Sequence, residues 1–474
     1  MTKQTLIEGD IVVTMNENRS VLDAGAVLVE GDTIRDVGSA ERLREEYEYD
    51  EVVGGKDRLV MPGFVNAHDH LFITLTRSLG EDLSLLDWGA ESVFPTAVGT
   101  THDALYAGCQ LSLLEMVKSG TTHFMDDTLA FLPLHKKKAG ETIADAALDI
   151  GIPGIIGAGG IDLNLDGGVP EDVVCSVETT RKQSAALIDE FDDHRDIDIW
   201  TSPTYPPWCS GDMYQEMKAL ADEKDTWVYS HVAEVFDEVK LVKELVGKRP
   251  VEYLDDLGVL DDNCLLAHVI WVTDGEIERI ARSGANVTHQ PICNQYLASG
   301  VAPIPKMLDK GINVGMGIDD GGHTNQDFCS LMKHGSLLHK VDQYSATAIS
   351  AEKILDMATI GGAKAIGKDD EIGSLEPGKR ANIILFDQNK LNLTPRLRPV
   401  TNLVYGATAK DVETTIINGE VIMHDREFPN IDEEGIRETA EAEAWDLIER
   451  VGIESLVTKS TEGWDRPSYD ALNR

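Results

Sequence analysis

Leu59-Val60-Met61-Pro62-Gly63-Phe64-Val65-Asn66-Ala67-His68-Asp69-His70 is an apolar run that ends in two histidines one residue apart. On a strand, residues i and i+2 point to the same side, so both imidazoles face one point. Two neutral imidazoles placed in this way suit a divalent metal, whose charge they can share. Two hydrogen-bonded core histidines would give the same pattern. The rest of the chain has to separate the two readings.

Outward from this stretch, short apolar segments recur at about 121–125, 152–157, 197–202, 226–230, 264–268, 285–289 and 312–317. Helical stretches separate most of them, such as 102–119 with its apolar face Leu105, Cys109, Leu113 and Val117. Counting 61–67 as the first, this is a series of strands with crossovers. It predicts an α/β fold closed as a TIM-type (β/α)8 barrel. The rival is an open doubly wound sheet, which normally carries phosphate-binding glycines after its first strand; here that position holds His-Asp-His.

The two chain ends have a different texture. Leu6–Val13 reads as a strand, and Ala26–Gly38 as a hairpin turning at Glu30-Gly31-Asp32. The same texture returns at Ala381–Asp387 and at Val412–Met423. The expected organisation is a small composite β-sandwich domain from 1–59 plus 375–430, a barrel over 60–374, and an acidic helical extension over 431–474 packing on the barrel. Two separate β modules are the alternative for the ends. In the extension, Ile436, Ala440, Ala444, Leu447, Ile448 and Val451 recur at steps of three and four, as a buried stripe does.

Chemistry on such a barrel sits at the C-terminal ends of the strands. Besides His68 and His70, the fifth strand closes on His231 with Glu234 just beyond, the sixth on His268, and the eighth on Asp319 and Asp320. Three imidazoles and a carboxylate, His68, His70, His231 and Asp319, make a donor set for one divalent metal ion, zinc first and iron second. Glu234 is the candidate proton shuttle. His268 is placed to orient a water or to stabilise charge on the attacked centre, and Asp319 to accept a proton. His289 either lines the pocket or packs behind it, and His323 is a candidate substrate contact. His123 reads as structural, and His102, His135, His194 and His424 as peripheral.

The chain has 474 residues, 83 acidic and 42 basic, for a formal charge of −41. With an apolar share of 42% it is not a disordered acidic chain. An acidic shell this dense suits a salt-rich cytoplasm of a halophilic organism, where screening relieves self-repulsion. It argues against nucleic acid as a partner. Signal-peptide pattern and long charge-free apolar stretch are both missing, so neither export nor a membrane span is expected. Six scattered cysteines without a CxxC read as reduced thiols.

Taken together, these segments resemble the amidohydrolase superfamily over nearly the whole chain. The similar branch holds S-adenosylhomocysteine/methylthioadenosine deaminases, guanine and 8-oxoguanine deaminases and triazine hydrolases. Met61–His70 resembles the family's first metal motif, Ser230-His231-Val232-Ala233-Glu234 the motif of the third histidine and the shuttling glutamate, and Leu266-Ala267-His268 that of the catalytic histidine. His289–Asn294 with Leu297–Gly300, Gly317-Ile318-Asp319, and Ala358–Gly367 with Gly373–Lys379 extend the match. The resemblance implies a metal-dependent hydrolase barrel whose metal-bound hydroxide displaces ammonia from an amino-substituted nitrogen heterocycle of purine, pterin or triazine type. Chloride loss from a triazine, or hydrolysis of a cyclic amide, is the alternative use of the same site. It also implies a homo-oligomer, dimer or larger. Binuclear relatives add a carboxylated lysine at the fourth strand; Ile197–Pro203 has none, which implies a single metal.

Substrate contacts in this branch come partly from the loop after the first strand. Relatives acting on adenosine derivatives carry a ribose-binding acid and a Trp-Leu pair there. Glu81 or Asp82 is placed for the acid, but Trp88-Gly89 departs from the pair, and Asp320–Asp327 departs from the family's small-residue stretch. Both departures weigh against an adenosine-type substrate. Trp88, Phe94 and Trp208 are candidates to stack on a planar ring, and Asn294, His289, Asp320 and His323 to touch substrate.

Overall fold

In the computed structural model, residues 2–127, 136–164 and 169–457 are described. The strands are β1 (Gln4–Val13), β2 (Val21–Glu30), β3 (Thr33–Ser39), β4 (Glu51–Pro62), β5 (Phe64–Asp69), β6 (Thr121–Asp127), β7 (Gly154–Gly160) and β8 (Ile197–Pro203). They continue as β9 (Val228–Val232), β10 (Cys264–His268), β11 (Asn286–His289), β12 (Val314–Met316), β13 (Ile383–Asp387), β14 (Val412–Ile417) and β15 (Glu420–Met423). β5 to β12 close into a parallel eight-stranded barrel, with β12 pairing back to β5 through Met316 and Asn66. Closure rules out the open doubly wound sheet. Helices such as His102–Ser119 and Val177–Phe191 lie between the strands.

The chain ends form one seven-stranded mixed sheet in the order β15-β14-β13-β4-β1-β2-β3. β4 joins its two halves, parallel to β1 and antiparallel to β13. The apolar run that opens the barrel is therefore shared between two sheets. β4 ends at Pro62, Gly63 still donates its N–H to Asn382 O (3.0 Å), and Phe64 donates to Gly120 O (2.9 Å) at the foot of the barrel. The expected first barrel strand, 61–67, is thus shifted to 64–69. The run is apolar throughout because both sheets bury it, so composition alone shows no break. A Cβ at Gly63 would collide with Thr122, so glycine is required where the chain changes partner.

The helix Glu433–Val451 buries Ala440 and Leu447 with Leu75, Ala104 and Ala107, on the outer side of the barrel. Residues 458–474 of the acidic extension, and His135, lie outside the described residues. Among the described residues no helix is long and apolar enough to cross a membrane, and all six cysteines are free thiols.

Candidate metal centre and active site

At the C-terminal mouth of the barrel the strand ends converge. His68 lies near the end of β5 and His70 just beyond it, with their rings 4.8 Å apart and nearly perpendicular. His231 lies in β9, and its Nε2 is 3.1 Å from His70 Nε2. Asp319, just after β12, brings Oδ1 to 2.7 Å from His68 Nε2 and 3.6 Å from His70 Nε2. All four side chains are buried. The backbone carries Asp319 inward: its N–H donates to His68 O (3.0 Å) and its carbonyl accepts from His70 N (2.5 Å). These bonds hold Asp319 at φ +83°, a left-handed conformation that an aspartate keeps only when its surroundings enforce it.

Each imidazole is fixed from behind. Tyr229 Oη meets His68 Nδ1 at 2.8 Å, His70 Nδ1 donates to Asp127 O, and His231 Nδ1 donates to Thr204 O at 2.9 Å. With every Nδ1 engaged, the three Nε2 atoms are left to point at one place, as orienting partners around a metal do. Burial drives the His68 pKa down to about 4, so the ring is neutral and its lone pair available. Burial likewise pushes His231 well below the ordinary histidine range. Two overlapping groups of buried donors could hold a metal ion here, His68, His231, His268 and Asp319 and, beside it, His70, Asp127 and His231, so the chain carries a metal-binding site of the three-histidine, one-aspartate type.

Two further groups face the same point. His268 closes β10 at φ +68°, with its N–H bonded to Gln290 Oε1 (3.0 Å) and its Nδ1 donating to Asn294 Oδ1 (2.9 Å). Its buried Nε2 has no hydrogen-bond partner and stands 3.6 Å from Glu234 Oε2. Burial, and secondarily the nearby Asp319, push the Glu234 carboxyl well above its usual range. Glu234 Oε1 accepts from Ser299 Oγ at 3.3 Å.

The turn that presents Glu234 is built by Glu238, from the first turn of helix Phe236–Val246. Its two carboxylate oxygens accept the N–H groups of Ala233 (2.6 Å) and Glu234 (2.7 Å), which permits Ala233 a φ of +55°. Glu238→Gln leaves one of those buried donors facing an NH2 group. It is expected to cost about 1–3 kcal/mol, read as a lower urea midpoint at unchanged m-value. An unmoved midpoint would show that the turn does not depend on the carboxylate.

The polar floor opens into a cavity. His70, His231, Glu234, His268 and Asp319 line its base, and Trp88, Phe94 and Trp208 line its walls. Phe94 and Tyr205 pack on Trp208 at ring-centroid distances of 5.1 and 4.8 Å. Other candidate contacts are placed elsewhere. Asn294 and His289 do not line this cavity: Asn294 holds His268, and His289 is buried against His339 (3.1 Å). Asp320 and His323 face one another at 2.6 Å beside Trp88, and Glu81 and Asp82 are exposed. His123 is buried in β6, with burial lowering its pKa to about 3.

The sequence reading overlooked Asp127. It ends β6, its Oδ2 lies 3.6 Å from His231 Nδ1, and its Oδ1 accepts from Ser202 Oγ (2.5 Å). Burial raises its pKa to about 7. The signal was present, since Asp126-Asp127 is a pair of carboxylates closing an apolar strand. Thr204 and Tyr229 gave no such signal.

Comparison with known proteins gives the same frame. The amidohydrolase family description matches residues 59–422. The chain belongs to that family. A 5'-deoxyadenosine deaminase of Methanosarcina barkeri is 35% identical over 94% of this chain and 99% of its own length. A 5-methylthioadenosine/S-adenosylhomocysteine deaminase of Thermoanaerobacter pseudethanolicus is 33% identical over 94% of this chain and 99% of its own. Among solved structures, a zinc-bound adenosine deaminase of Xanthomonas campestris superposes with a TM-score of 0.87 at 28% identity, covering 95% of this chain and 98% of that one. A zinc-complexed atrazine chlorohydrolase of Arthrobacter aurescens has a TM-score of 0.87 at 24% identity, over 93% and 100% of the two chains, and so shares the fold. As an amidohydrolase, this protein acts on C–N bonds at a His/His/His/Asp metal site.

Proposed function

We propose that this amidohydrolase is a hydrolytic deaminase that replaces the exocyclic amine of an adenine-type nucleoside by oxygen and releases ammonia. The observation that carries the reading is the convergence of Glu234 and His268, 3.6 Å apart, on the His/Asp nest at the base of an aromatic-walled cavity. The similarity to 5'-deoxyadenosine and methylthioadenosine deaminases supports an adenosine derivative with a deoxy or thioether 5' position.

In this reading His68, His70, His231 and Asp319 hold one metal ion, with zinc favoured over iron. When bound, such an ion lowers the pKa of a coordinated water to near neutrality. The chain's own groups do the rest. His268, with Nδ1–H committed to Asn294, presents Nε2 as an acceptor that orients the attacking water. Glu234, whose raised pKa suits it to exchange protons near neutral pH, delivers a proton to the ring nitrogen next to the attacked carbon. Asp319 takes the second proton and returns it to the departing amine. Trp88, Phe94 and Trp208 present flat apolar surface to the heterocycle and exclude water from the floor.

The test is ammonia release by metal-loaded protein at molar salt from a panel of 5'-deoxyadenosine, 5'-methylthioadenosine, adenosine, guanine, a pterin and an aminotriazine. Release is expected from the adenosine derivatives first. Silence across the panel would overturn the deaminase reading, and release from guanine, the pterin or the triazine alone would overturn the nucleoside assignment.

A further inference from the structure

The loop after β12 reads Asp320-Gly321-Gly322-His323-Thr324-Asn325, and it is stitched to the loop after β5. Arg77 Nε donates to Gly321 O (2.6 Å) and Ser78 N to Gly322 O (2.8 Å). The joint has no slack, because a Cβ at Gly322 would come within 2.6 Å of Ile73. Out of this joint the His323 imidazole, 7% exposed, inserts between two rings from other elements. The Trp88 centroid is 4.4 Å away and the Tyr296 centroid 4.7 Å. His323 is also fixed at its base. Its Nδ1 lies 2.6 Å from Asp320 Oδ2, while Asp320 Oδ1 accepts the N–H groups of Gly322 and His323, each at 2.7 Å.

Trp88 lines the cavity and His323 does not. The indole also abuts Gly80, where a Cβ would stand 2.6 Å from the ring and 3.4 Å from His323 Nε2. One backbone glycine and one imidazole thus both stand against the ring. The wall it joins is carbon-rich, with Leu85, Gly89, Val93 and Phe94, and it is set apart from the polar floor of histidines and carboxylates. A wall of this kind meets the part of the substrate remote from the reacting amine, and its chemistry fits methyl or thioether carbon better than a hydroxyl.

We propose that His323 is a positioning residue that braces Trp88 from behind and thereby sets the preference of the cavity for an apolar substituent on the sugar side of the substrate. This rests on the nucleoside-deaminase reading. Histidine at 323 is the device itself: a small residue there leaves the indole without this neighbour.

Two variants and two readouts test the brace. His323→Ala removes it; His323→Phe keeps a ring between Trp88 and Tyr296 but loses the pairing with Asp320. With His323→Ala, KM for 5'-deoxyadenosine is expected to rise about tenfold while kcat changes little, and the preference for it over adenosine to shrink. His323→Phe is expected to recover most of that KM. An unchanged KM and preference in His323→Ala would overturn the proposal. So would a fall in kcat alone, equal for both substrates, because that is damage to the floor. The second readout needs no substrate and survives failure of the deaminase reading. A crystal structure of His323→Ala is expected to show the Trp88 indole displaced or in several positions, and an indole left in place would overturn the brace.

Discussion

Glu234→Gln is expected to lower kcat about 100-fold or more while leaving metal content, KM and melting temperature close to wild type. The substitution is nearly isosteric. A glutamine carbonyl can still accept the Ser299 hydroxyl, and the backbone turn is held by Glu238 rather than by the side chain that changes. What disappears is the ability to gain and lose a proton at a point 3.6 Å from His268 Nε2, inside a nest where burial has already raised the carboxyl's pKa. The measurement is steady-state ammonia release with elemental analysis of the same sample. Unchanged turnover would remove Glu234 from the proton path. Loss of metal together with turnover would make it a ligand, and the donor set would have to be redrawn.

The barrel was legible because its strands are buried on both faces and therefore read as apolar runs, several of them closed by a polar residue that has no packing reason to be there. His68, His70, His231, His268 and Asp319 are such residues, and the structure brings all five to one end of the barrel. Their supporting partners were hard to read for a physical reason. His70 and His231 are oriented by the main-chain carbonyls of Asp127 and Thr204, and a carbonyl is the same for every residue type. Tyr229 sits inside an apolar strand, where a tyrosine reads as packing, yet its hydroxyl meets His68. Glu238 falls in a helical first turn, the ordinary place for an acid, and its second task of holding the Glu234 turn has no pattern of its own.

The cavity walls divide in the same way. Aromatic residues announce bulk but not direction: Trp88 and Trp208 face the cavity, whereas His289, equally suggestive by its place at a strand end, turns to His339 fifty residues later. Asn294 and Asp320 bond to His268 and to the 322–323 backbone. The sequence departures at Trp88-Gly89 and 320–327 argued against an adenosine derivative. The proposal of such a substrate is supported by similarity to relatives, 33–36% identical, that are named as deaminases of 5'-deoxyadenosine or of 5-methylthioadenosine/S-adenosylhomocysteine. The two agree if those departures reshape the wall beyond the amine rather than the floor that reacts with it.

Asp319→Asn separates the two duties proposed for one side chain, holding the metal and accepting a proton. Asparagine tolerates the left-handed backbone at φ +83° better than other residues, and the backbone bonds to His68 and His70 do not involve the side chain. The fold around the site is therefore expected to survive. The charge does not. Three neutral imidazoles without the carboxylate leave a divalent cation uncompensated in a buried nest. Metal affinity is expected to fall by more than the roughly 10–100-fold that loss of an outer orienting partner costs. Excess zinc can refill such a site by mass action, but an amide cannot accept the second proton, so turnover is expected to stay at least about 100-fold low at saturating metal. Turnover restored by zinc alone would reduce Asp319 to a ligand. The double variant with Glu234→Gln sharpens the test. If the two carboxylates serve successive proton transfers of one reaction, the combined loss is expected to fall well short of the product of the single losses, as it does for groups that act as a unit. A fully multiplicative loss would mean that they act independently and that the shared proton path through this nest is wrong.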